Sequence, residues 1–94
     1  IDAPELYTRY GRLAAEFLHD LLQGRTVLCE LAVGVEGAST LGICYIEIDG
    51  NTVDIGEALV SAGYALDCRA ISGGRYRRFE QPGARSRIGS ADYC

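Results

Sequence analysis

The stretch Asp49-Gly50-Asn51-Thr52-Val53-Asp54-Ile55-Gly56-Glu57-Ala58-Leu59-Val60-Ser61-Ala62-Gly63-Tyr64-Ala65 holds a turn, a helix cap and a helix stop in close succession. Asp49-Gly50-Asn51 is a tight-turn signal, because aspartate, glycine and asparagine tolerate positive φ better than other residues. A short extension at Thr52-Val53 follows. Asp54 then supplies a side-chain oxygen for the unpaired N–H groups that open a helix. The core face of that helix is expected at Ala58, Leu59 and Ala62, with Gly63 ending it.

Working outward, residues 41–49 alternate in strand fashion, with Cys44, Ile46 and Ile48 on one face. Residues 25–33 form the preceding strand, with Val27, Cys29, Leu31 and Val33 alternating. Residues 34–40 read as the loop between them. Further upstream, Leu13, Ala14, Phe17, Leu18 and Leu21 recur at helical spacing, predicting a helix over 10–22. Thr8 is its expected N-cap and Gly24 its stop. His19 falls on the polar side and is read as a surface histidine. Downstream, residues 64–70 and the Ser72-Gly73-Gly74 loop lead to a last helix over 75–87. Pro82-Gly83 interrupts that helix and should kink or break it, since proline removes a hydrogen bond and clashes with the preceding turn.

Ninety-four residues, 48% of them hydrophobic, suit one domain spanning 1–94. No apolar run approaches the roughly 20 residues of a membrane helix, and no basic, apolar leader opens the chain. It begins with Ile1 rather than Met, so the expectation is a processed chain or a piece of a longer one. The net charge of −4 is unevenly spread. Residues 1–68 hold three Arg against eleven acids, whereas residues 69–94 hold six Arg against Glu80 and Asp92. The overall acidity argues against non-specific nucleic-acid binding, which needs cations to neutralise phosphate. Arg69, Arg75, Arg77, Arg78, Arg85 and Arg87 form either a local anion patch or, the preferred reading, a solvated helix face. Four cysteines fit two disulfides in an oxidising compartment, with three connectivities open. That usage points to a secreted or periplasmic protein. With no C-x-x-C spacing and a single histidine, a zinc site is not expected.

Four motifs in order resemble one family. Ile1-Asp2-Ala3-Pro4-Glu5 resembles the I-D-A/T-P-E motif of bacterial-type staphylococcal-nuclease-like (thermonuclease-type) domains. Tyr10-Gly11 with Ala14, Ala15 and Phe17 is similar to that family's Y-G-x-x-A helix. Asp49-Gly50, Glu57-Ala58-Leu59-Val60 and Gly63-Tyr64-Ala65 match its D-G…A-L-V-x-x-G-x-A stretch. Tyr76, Glu80, Ala84 and Arg85 resemble its closing Y-x-x-x-E-x-x-A-R helix, with one extra residue after Glu80. The resemblance implies an α+β fold: a five-stranded OB-type barrel with three helices, here lacking the first barrel strands. Two barrel strands would leave edges and apolar positions such as Val27, Leu31 and Ile46 uncovered, so self-association or a partner segment completing the barrel is expected.

The resemblance also implies a site. In active members a calcium ion is held by oxygen ligands, a glutamate activates water, and two arginines stabilise charge on phosphate. Asp2 matches the metal-ligand aspartate, Ala3 the residue offering its carbonyl, and Glu5 the general base. The other metal aspartate and the first arginine belong upstream of Ile1. Counting back from Asp49-Gly50 sets Ser39, Thr40 and Leu41 on the Y-G-R of the family's D-x-Y-G-R stretch. No Arg occurs between Arg25 and Arg69, so no shift of register restores it. Losing such a contact costs about 3–4 kcal/mol, a factor of roughly 100 to 1,000 in rate. The preferred reading is therefore a degenerate site, with Asp2 and Glu5 serving a structural turn. The alternatives are a calcium-dependent phosphodiesterase in which Arg69 or the 75–78 arginines substitute, and a disulfide-stabilised interaction domain. Tyr64 and Tyr76 are read as core residues rather than base-stacking platforms.

The family fold further implies that the two strands pair antiparallel, with Val27 opposite Ile46, Cys29 opposite Cys44, and Leu31 opposite Gly42. A Cys29–Cys44 disulfide would close a loop of about 15 residues, worth about 3 kcal/mol on the chain-entropy estimate. Cys68 and Cys94 would then pair. Four reduced thiols in a cytosolic protein remain the alternative.

Overall fold

In the computed structural model, which describes residues 1–31 and 41–94, Ile48 pairs with Asn51 across a loop of just Asp49 and Gly50. Both loop residues have positive φ, 51° and 80°, the backbone twist that matches two antiparallel strands. The expected Thr52-Val53 extension is thereby a full strand. Among the described residues there are three strands, β1 (Leu28–Leu31), β2 (Gly42–Ile48) and β3 (Asn51–Asp54), in the order β1-β2-β3. The molecule is α+β, with helices α1 (Arg9–Leu22), α2 (Ile55–Ser61), α3 (Arg69–Ser72) and α4 (Ala84–Ile88) beside this antiparallel sheet. Val33, the loop over 34–40, and the Ser39 and Thr40 positions lie outside the described residues.

Local signals account for the two main helices. Thr8 Oγ1 accepts the Gly11 N–H at 3.0 Å and opens α1. Asp54 Oδ1 accepts from Gly56 and Glu57 and opens α2. His19 is exposed, as expected. The core face of α2 differs from expectation: Ile55, Leu59 and Val60 are buried, while Ala62 is exposed and Ala58 only half-buried. Larger side chains remove more apolar area from water than alanine does. They join Ile46, Ala65 and Tyr76 in the core, flanked by Phe17, Leu18 and Leu21 of α1. Ile46 is therefore not uncovered; it is 1% exposed, whereas Leu31 is 69% and Val27 39% exposed. Tyr64 and Tyr76 both sit in this packing, Tyr64 with its ring 5.2 Å from that of Phe17.

The last helix is not continuous. A 3-10 turn at Arg77–Phe79 is followed by Pro82-Gly83 and only then by α4. Glu80 holds this corner together: its carboxylate accepts the Asp67 N–H at 3.0 Å and two bonds from Arg85, at 2.8 and 2.7 Å. α3, which the sequence does not announce, lies between Cys68 and Gly73. Two disulfides staple the fold. Cys29–Cys44 joins directly opposed residues of β1 and β2, and Cys68–Cys94 holds the C-terminal segment. Cys29↔Cys44 and Leu31↔Gly42 are the pairs expected from the register, although the pairing starts at Leu28 rather than Val27.

Candidate functional site

Asp2 is fixed by its main chain. Its N–H and C=O exchange 2.8 Å hydrogen bonds with Leu66, an isolated antiparallel bridge. Its side chain is also engaged, since Oδ2 accepts the Ala91 N–H at 2.7 Å. Three residues on, the chain turns sharply: Glu5 O accepts from Thr8 N–H at 2.9 Å and from Thr8 Oγ1 at 2.7 Å. That carbonyl presses on the first turn of α1. A Cβ built on Gly11 would lie 1.8 Å from Glu5 O, so only glycine admits the contact. The glycine of the Tyr10-Gly11 pair is explained by this seat. The Glu5 side chain and Ala3 are exposed.

Calcium, the ion that the resemblance implies, takes six to eight oxygen ligands. Among the described residues, no group of three or more His, Cys, Asp or Glu side chains converges to hold a metal. Asp2 and Glu5 are one engaged and one exposed carboxylate. These residues do not fit a calcium centre.

Leu41 is 39% exposed and lines an open hollow of about 400 Å³ with Ile1, Glu30, Leu31, Ile43 and Arg75. Arg75 brings a cation to the same hollow, but its Nε and Nη2 donate to Asp54 Oδ2 at 3.3 and 3.2 Å. The Tyr76 hydroxyl donates to the same carboxylate at 2.9 Å. Burial alone would lower the Arg75 pKa, yet hydrogen bonds to Asp54 and Tyr76, and their charges, hold it above its ordinary value. Burial pushes the Tyr76 phenol up to about 12, helped by Asp54 and opposed by Arg75.

Asp54 is thus cap, counter-ion and phenol acceptor at once; its position before a helix revealed only the first role. Nor do the six C-terminal arginines line one helix face. Arg75, Arg77 and Arg85 are in ion pairs, Arg78 lies over the Phe79 ring at 4.7 Å, and Arg69 and Arg87 are exposed. The three-residue spacing of Arg77 and Glu80 was the available hint of one such pair.

An α+β frame that seats an I-D-A-P-E turn on its first helix is consistent with a staphylococcal-nuclease-like fold. The family described as staphylococcal nuclease homologue matches residues 1–86, and the chain belongs to that family. No curated protein and no solved structure matches it.

Proposed function

We propose that this chain is a nuclease-fold domain without phosphodiesterase turnover, acting as a binding or structural module of a secreted or periplasmic protein. The observation that carries the reading is Leu41 at the place where the family motif has its arginine. A leucine offers no hydrogen bond to a phosphate, and the nearest cation in its hollow is already committed to Asp54. Two disulfides suit the oxidising setting. The sheet is read as an incomplete OB-type barrel, and the exposed Leu28 and Leu31 on β1 as the surface that a second copy or a partner segment covers.

A second reading rests on Arg75. Because it shares a hollow with Leu41 and Ile1, it is the arginine best placed to substitute in a calcium-dependent phosphodiesterase with Glu5 as base. A fluorogenic DNA and RNA hydrolysis assay with calcium separates the two. The expected result is no turnover above the buffer rate. Hydrolysis that Glu5→Gln and Arg75→Ala each abolish would replace the first reading with the second.

A further inference from the structure

The two disulfides lie in opposite surroundings. Cys68 is 0% exposed and Cys94 half-buried, so that bond is packed into the fold. Cys29 is exposed and Cys44 half-buried, and their bond ties the edge strand β1 to β2. An open hollow of about 510 Å³, lined in part by Leu28, Tyr45 and Thr52, lies against Cys29. Every residue of β1 is exposed, and none belongs to the core cluster around Ile46, Leu59 and Tyr76. Among the described residues, backbone pairing to β2 and this one covalent bond are what hold β1 in place.

Thiol–disulfide exchange needs a thiolate that can reach one sulfur and a second sulfur that can leave as a thiolate. At Cys68–Cys94 the reachable end is Cys94, and the departing Cys68 thiolate would form where no water solvates it. Burial of that kind disfavours the charged form. At Cys29–Cys44 the reachable sulfur belongs to an exposed residue, and its partner is only half-buried. We propose that Cys29–Cys44 is a thiol-exchange site, opened by a dithiol reductant ahead of Cys68–Cys94 and without loss of the core. One thiolate of the dithiol attacks Cys29 Sγ and forms a mixed disulfide. The Cys29–Cys44 bond breaks with its electron pair on Cys44 Sγ, which takes a proton from water. The second thiolate of the dithiol then attacks its own sulfur in the mixed disulfide and expels Cys29 Sγ, which is protonated in turn. The dithiol ends as a disulfide, and the two cysteines have gained two electrons and two protons. β1 then keeps only its pairing to β2, and an exposed strand of that kind opens at low cost.

Short pulses of dithiothreitol, quenched with N-ethylmaleimide and mapped by peptide mass spectrometry, test the order of opening. The protein is kept dilute, so that no occupant of Leu28 and Leu31 shields the bond. Cys29 and Cys44 should be labelled at least about tenfold faster than Cys68 and Cys94. Equal rates, or Cys68–Cys94 opening first, overturn the proposal. Amide hydrogen exchange on the double variant Cys29→Ser with Cys44→Ser reads the consequence. The β1 amides should exchange at least about tenfold faster than in the parent, while the Val60 amide stays protected. Loss of Val60 protection would make the bond a staple of the whole fold, and unchanged exchange along β1 would mean that the bond does not hold the strand. Either result overturns the proposal.

Discussion

β1 and β2 run side by side, paired residue for residue and joined by Cys29–Cys44, yet they live in different environments. On β2, Ile46 is 1% exposed beneath a core that includes Leu59, Val60 and Tyr76. On β1, Leu28 and Leu31 are about equally exposed, at 70% and 69%, although they point to opposite faces. Backbone pairing therefore places a strand without burying it; burial needs a second layer. The second layer here is α1 and α2 with the segment around Ala65 and Tyr76, and it stops short of β1.

The largest expected effect falls on the covered strand. Ile46→Ala should lower stability by about 2–5 kcal/mol, the range for deleting a fully buried aliphatic side chain. Urea denaturation measures it, and a loss below about 1 kcal/mol would mean that the cluster around Ile46 collapses to fill the gap.

A second effect belongs to the layer above. The Tyr76 phenol titrates near 12 in the folded protein against 10.0 ordinarily. Above pH 10 the unfolded chain loses this proton first, so stability should fall between about pH 10 and 12. Below that window the contribution is fully present. Tyr76→Phe should flatten this part of the pH profile relative to the parent; an unchanged slope would assign the alkaline loss to other groups.

The smallest thermodynamic effect is expected on β1. Leu28→Ser with Leu31→Ser should alter stability by no more than about 0.5 kcal/mol, as surface changes do. Light scattering should nonetheless show less association than in the parent, because the apolar edge is what a second copy would cover. A parent that is monomeric at all concentrations would remove self-association as the role of this surface.

The contrast also explains what could be read in advance. Thr8, the Asp54 cap and the Asp49-Gly50 turn act on neighbours within a few residues, so these roles were legible. The Cys29–Cys44 pair was legible once strand register was assumed. Alternation placed Ile46 and Leu31 on one face, but it cannot say how far a cover extends, and Ile46 was misjudged for that reason. The break in the last helix was legible from Pro82-Gly83; that its first half is only a 3-10 turn at Arg77–Phe79 was not, and there Glu80 accepts the N–H of Asp67, thirteen residues away. At the candidate site the motif located Asp2 and Glu5 but not their surroundings. The Ala91 partner of Asp2 lies 89 residues distant, beyond any local pattern.

Gly11 carries a consequence for how such a domain drifts under mutation. Every single-base change to its codon that alters the residue adds a Cβ, and any Cβ meets the Glu5 carbonyl at 1.8 Å. Position 11 therefore has no neutral neighbours in sequence space. Glu5 itself contributes only its main chain to that contact, and its exposed side chain can change with little penalty to the fold. In a lineage released from selection for hydrolysis, the carboxylate is free to erode while the glycine beneath it is not. The scaffold then outlives its chemistry.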